Sequence, residues 1–212
     1  MQNVSKILLF FCMTLILFAC SEHKDQSKHL SKEELETGQF SDEIEAHLSA
    51  RTKQLEVLFT NATIVKSVLD ADKLHQGHGT FDHDNSQKID DKMQAQKNTH
   101  AVQELLHNAC ASVLKSFQRK HRAFVEIFIT DTGGFNVCQT NMTSDFYQAD
   151  ESWWQEAYNK GKGKTYHSDM EYDASANEIA VSIYVPLYQG DKLIGISKSV
   201  LSINDIMRSH LA

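Results

Sequence analysis

The chain has no excess of positive charge, no hydrophobic run long enough to cross a bilayer, and no motif of a known catalytic chemistry. Each absence removes a class of function. Lysine and arginine number 21 against 28 aspartates and glutamates, a net charge of −7, so little is available to neutralise a phosphate backbone and nucleic acid is not an expected partner. The apolar run ILLFFCMTLILFA, residues 7–19, falls short of the roughly 20 residues that a spanning helix needs. No nucleophile elbow or phosphate loop occurs, so neither an enzyme nor a cofactor is expected. Cysteine is scarce: Cys12 lies inside the apolar run, and only Cys20, Cys110 and Cys138 follow. Tryptophan occurs twice, as the adjacent Trp153 and Trp154.

With Lys6 ahead of it, the apolar run reads as a signal-peptide core. Leu17-Phe18-Ala19-Cys20 resembles the lipobox of bacterial lipoproteins. That resemblance implies cleavage before Cys20, acylation (palmitate among the chains) at Cys20, and a membrane anchor. Ser21, with no aspartate there, implies outer-membrane sorting and a domain facing the periplasm. Several acyl chains, at about 0.8 kcal/mol per buried methylene, hold a protein stably where one chain does not. The alternative is a secreted protein with a chance cysteine. Removing residues 1–19 removes Lys6 and leaves 20 basic against 28 acidic side chains, a net charge of −8. Cys110 and Cys138 can pair in an oxidising envelope or remain two buried thiols, and sequence does not decide between them.

Residues 20–40 are polar and charged and read as a tether. From Ser41 to Leu69 a helical period places Ile44, Leu48, Leu55, Leu58, Ala62, Val65 and Leu69 on one face of a long amphipathic helix. A second helix is expected over about 91–119, with Val102, Leu105, Leu106, Ala109, Val113 and Phe117 on its stripe. Residues 70–89 between them show no period and read as an irregular, functional or disordered connection.

After Arg122 the period becomes alternating. Strands are expected over 124–131, 135–140, 165–173, 178–188 and from Leu193, with Asp131-Thr132-Gly133-Gly134 as a hairpin turn. A short helix from Asp150, with Asp150 as its N-cap and Gly161 and Gly163 at its end, is inserted among them. Long helices followed by a five-stranded antiparallel sheet give one α+β domain over 41–212. Ile179, Val181, Ile183, Val185 and Leu187, with Val125, Ile127 and Ile129, form an aliphatic face suited to packing on helices. The alternate residues, Phe124, Glu126 and Phe128 and then Ala180, Ser182, Tyr184, Pro186 and Tyr188, make a mixed face that reads as a pocket wall.

FVEIFITDTGGFNVCQT, then TSDFYQADESWW, then EYDASANEIAVSIYVPLYQGDKLIGISKSVLS resemble the Cache domains, the PAS-like or PDC extracytoplasmic sensors. The resemblance implies long N-terminal helices on a curved antiparallel sheet, a small-molecule pocket, and signal transduction. It also implies a membrane sensor or signalling protein as partner, because this chain stops at Ala212. The amino-acid-binding members clamp a carboxylate with arginine, and none occurs between Arg122 and Arg208.

Residues 143–178 carry eight carboxylates against three lysines. With the aromatic residues among them, this composition suits a cationic or amine ligand. The pocket residues expected from strand parity and the resemblance are Trp153, Trp154, Tyr158, Tyr166, Tyr172, Asp173, Ser182, Tyr184 and Glu126. Trp153 and Trp154, about 100° apart on a helix, should face different surroundings. Two other readings are carried forward. One is a ligandless envelope interaction protein. The other is a metal-binding lipoprotein that uses His75, His78 and His83, although their spacing fits no closed site and no metal is assigned.

Overall fold

The computed structural model describes residues 40–76, 83–95, 99–173 and 178–204. The leader, Cys20 and nearly all of the expected tether lie outside the described residues. Among the described residues five helices precede the first strand: α1 (Asp42–Phe59), α2 (Ala62–Gln76), α3 (His83–Gln94), α4 (His100–His107) and α5 (Ala109–Lys120). Ser41 caps α1 by accepting from the Ile44 N–H at 3.4 Å, and Asp42, Glu43 and Glu45 in the first turn suit the positive end of the helix dipole.

Both long helices expected from periodicity are broken, the second of them twice: it is interrupted between Gln94 and His100 and again at Asn108, and the breaks at 61 and 108 are each made by an asparagine. At Asn61 the side chain accepts from the Thr63 N–H at 2.9 Å and starts α2 in a new phase. Ile64 and Val68 are therefore fully buried, while Ala62, expected on the buried stripe, is exposed. Asn108 accepts from the Ala111 N–H at 2.8 Å and donates to the Val137 carbonyl at 2.9 Å. The phase resets again, so Cys110, Ala111 and Leu114 are buried and Ala109 is exposed. Residues 70–89 are not one irregular loop either. Asp70 to Gln76 continue α2 and residues 83–89 open α3. Their polar composition hid them, since α2 is held here by polar contacts: Thr132 donates to Asp72, and His75 meets Asp131.

The sheet comprises β1 (Phe124–Asp131), β2 (Asn136–Gln139), β3 (Tyr166–His167), β4 (Glu171–Asp173), β5 (Glu178–Gln189) and β6 (Lys192–Ser202), with a short helix α6 (Ser152–Tyr158) between β2 and β3. All pairs are antiparallel, in the order β2-β1-β6-β5-β3 with β4 also on β5. The single third strand expected over 165–173 is thus two short strands. In the β1–β2 hairpin Asp131 accepts from the Gly133 and Phe135 N–H groups at 2.9 and 3.0 Å. Gly134 has φ +85°, and a Cβ there would lie 2.4 Å from Ala149, so only glycine fits.

Val181, Ile183, Val185, Leu187, Ile127 and Ile129 pack with α1, α2 and α5 in the main core. Cys110 and Cys138 are joined by a disulfide, Cα to Cα 5.8 Å, which ties α5 to β2. Three expected face assignments change. A bulge between Phe124 and Glu126 turns Phe124 into the main core beside Phe117, away from Glu126 and Phe128. The same bulge leaves Val125 only half-buried. Ile179, opposite Tyr172 at the outer edge, is 51 % exposed.

Candidate functional site

The registers of four strands align one row of side chains across the sheet, Phe128 beside Lys198, Lys198 beside Tyr184, and Tyr184 beside Tyr166. Directly paired residues in an antiparallel sheet share a face, so this row forms a floor. Helix α6 lies over it and sets Trp153 on the row, stacked on Tyr184 with centroids 5.2 Å apart and edge-on to Phe128 at 5.9 Å. The Tyr166 hydroxyl donates to the Trp153 carbonyl at 2.9 Å, fixing the helix to β3. Gly163, with φ +75°, lets the chain leave α6 close against Tyr188, whose oxygen would lie 2.1 Å from an added Cβ.

Between floor and helix is a cavity of about 540 Å³, within the usual range for small organic ligands. Its lining contains five carboxylates, Glu126, Glu151, Glu156, Glu171 and Asp173, but among the described lining residues one basic side chain, Lys198. Glu126 and Asp173 are buried at 2 % and 8 % exposure. The Lys198 ammonium stands 3.6 Å from Asp173 and 5.9 Å from the centre of the Trp153 ring. Lys164 repeats this arrangement at the edge of the site, paired with Glu156 and 5.1 Å from the Tyr166 ring centre. Burial pushes the Tyr184 phenol up to about 12, with the charges of Glu171 and Asp173 adding to it, and burial raises Tyr166 as well. Both phenols are therefore neutral at physiological pH.

Of the nine pocket residues expected from sequence, the cavity brings together Glu126, Trp153, Tyr166, Tyr172, Asp173 and Tyr184. The other three do not line it. Trp154 points below the helix, 4 % exposed, and donates to the Thr130 hydroxyl at 2.8 Å. Tyr158 stacks on Trp154 at 4.7 Å, one helical turn along. Ser182 sits on the Tyr184 face but is buried, its N–H donating to the Ser168 hydroxyl at 3.0 Å. Asp150 is not the N-cap: Glu151 occupies that position without a side-chain cap bond, and its side chain lines the cavity. Lys198 is a pocket residue beyond those expected from sequence; the signal for it is a lysine flanked by Ser197 and Ser199 at the same strand parity as Ile194, Ile196 and Val200.

The loop 143–149 closes the side of the cavity with Thr143, Ser144 and Gln148. Its outer surface belongs to a second small core, where Phe146 and Phe135 meet Met93, Val102 and Leu105 from α3 and α4. Asp90 of α3 accepts from the Phe146 N–H and, at 3.1 Å, from the Tyr147 N–H. Burial pushes the Asp145 carboxyl up to about 6, helped by the charges of Asp90, Glu151 and Asp150, although Gln148 donates to it. Burial raises Asp90 too.

His75 is engaged with Asp131 and packs edge-on against Phe135 at 4.9 Å. His78 and the His83 side chain lie outside the described residues. Among the described residues no group of three or more histidine, cysteine or acidic side chains could hold a metal.

The family model described as methyl-accepting chemotaxis protein-like, first PDC sensor domain, matches residues 86–208, more than half of the chain. Similar solved structures include the ligand-binding domain of the Campylobacter jejuni chemoreceptor Tlp3 in complex with L-valine, 16 % identical. That match covers 77 % of this chain and 63 % of that one, with a TM-score of 0.38. The sensor domain of the V. cholerae histidine kinase DctB is 13 % identical over 76 % of this chain and 58 % of that one, TM-score 0.38. The ligand-binding domain of the Pseudomonas aeruginosa amino acid chemoreceptor PctC, in complex with GABA, is 13 % identical over 57 % of this chain and 62 % of that one, TM-score 0.35. The chain thus spans about three fifths of the length of these structures. No curated protein matches.

Proposed function

This chain belongs to the family of first PDC sensor domains of methyl-accepting chemotaxis protein-like proteins, and from that premise we propose that it senses a small organic amine from the periplasmic side. The observation that carries the reading is the lining, in which five carboxylates and the aromatic faces of Trp153, Tyr166 and Tyr184 surround one lysine. An ammonium group is held well by a carboxylate together with an aromatic face. The protein already uses that combination twice on its own lysines.

In this reading the Trp153–Tyr184 stack takes the apolar part of the ligand, and Glu126, Glu171 and Asp173 take its positive end. Loop 143–149 reports occupancy to α3, because Asp90 holds the loop's backbone. Anchoring through an acylated Cys20 would place the sensor on the envelope, at the outer membrane, and output would pass to a membrane signalling partner. Support for the anchor comes from the Leu17–Cys20 motif alone. Metabolic labelling with a palmitate analogue tests it: wild type should incorporate the label and Cys20→Ser should not.

A thermal-shift screen of amines, amino acids, organic acids and nucleobases on the purified protein tests the ligand class. Amines should raise the melting temperature, and Trp153→Ala should abolish the rise. Stabilisation by organic acids with no response to any amine would overturn the reading.

A further inference from the structure

We propose that Lys198 is a resident ammonium that occupies the ligand's cation seat and sets the threshold that an incoming amine must overcome. This rests on the amine reading of the cavity. Lys198 is the sole lysine in the floor row, between Phe128 and Tyr184. Its side chain is 19 % exposed and that of its partner Asp173 8 %, so both charges have lost most of their water. The ammonium lies between the Asp173 carboxylate at 3.6 Å and the Trp153 ring centre at 5.9 Å. A free amine entering the cavity would seek the same two partners.

Two roles for a lysine in such a place make opposite predictions. A lysine that clamps a ligand carboxylate strengthens binding of zwitterions, and removing it weakens them. A resident ammonium competes with the ligand's own ammonium and repels it, and removing it strengthens amine binding. The geometry points to competition, because Lys198 stands against a carboxylate and a π face and within a lining that is otherwise acidic. Removing Lys198 also takes from the buried Asp173 the cation beside it, which destabilises the fold. An added amine replaces that cation and restores the lost stability.

The test is titration of n-butylamine and of an α-amino acid, 2-aminobutyrate, into wild type, Lys198→Met, Lys198→Gln and Lys198→Arg, with melting curves for each. The two neutral variants should bind n-butylamine at least roughly tenfold more tightly, the size expected of one partly buried charge. Their melting temperatures should rise with the amine by more than the wild type's does. Lys198→Arg keeps the charge and should stay near wild type, which separates the effect from packing. Unchanged or weaker amine binding in both neutral variants overturns the proposal, as does a loss confined to 2-aminobutyrate, which would make Lys198 a carboxylate clamp. If no amine binds wild type or any variant, the amine reading itself fails. If amines bind wild type and the neutral variants gain nothing, only the role of Lys198 fails.

Discussion

On β5, Val181, Ile183, Val185 and Leu187 lie in the main core with α1, α2 and α5, while Tyr184, alternating with them, meets Trp153 and the cavity. One strand thus serves two environments with two kinds of chemistry. The helix side is aliphatic and filled, as a close-packed core requires. The α6 side keeps buried carboxylates, phenols and a lysine around unfilled volume, an arrangement costly to maintain without a use. The difference is that one face supplies stability and the other forgoes part of it around an open cavity, as the proposed binding role requires.

If that division is right, damage to the two faces separates in two measurements. The largest expected effect is on the helix side. Ile183→Ala, at a fully buried site, should cost about 4 kcal/mol in urea unfolding and leave amine affinity unchanged in the folded protein. Next is the Cys110–Cys138 bridge, which closes a sequence separation of 28. Replacing both with serine should cost about 3.5 kcal/mol by loop entropy, again with little change in ligand binding. Across the sheet, Trp153→Ala should lower stability by only about 1 kcal/mol, since the ring is partly exposed, yet weaken amine binding at least roughly tenfold. Equal loss of stability and affinity in all three would erase the distinction.

Asp145 adds a pH dependence with a definite sign. Its folded carboxyl titrates at about 6 rather than 3.8, so between those values the folded protein holds a proton that the unfolded chain has released. Its contribution to stability therefore falls as pH rises from about 4 to about 6 and is constant above. Unfolding curves across that window should show the slope in wild type and a shallower one in Asp145→Asn. An unaltered slope in the variant would place the titration elsewhere.

Much of this was legible in sequence, and the reasons differ by region. The strand alternation set Tyr184 and Glu126 apart from Ile183 and Ile127, because period two survives wherever the pleat is regular. It failed at Phe124, where a bulge reverses parity without a residue type to announce it. The division of labour between Trp153 and Trp154 followed from helix geometry. The breaks at Asn61 and Asn108 did not emerge, because the apolar spacing on either side remains compatible with one continuous helix, and only the cap bonds show the change of phase. Residues 70–76 carry no helical period in the sequence because their anchors are polar, Asp72 to Thr132 and His75 to Asp131, and hydrophobic periodicity does not register such contacts. Lys198 became meaningful only once the register placed it beside Tyr184.

The proposal that the acidic, aromatic cavity takes an amine is tested most directly by comparing ligands of opposite charge. Isothermal titration of n-butylamine into the purified protein should give saturable heat, lost at least roughly tenfold in affinity on Trp153→Ala, while butyrate gives none. Saturable binding of butyrate with no heat from any amine would contradict it.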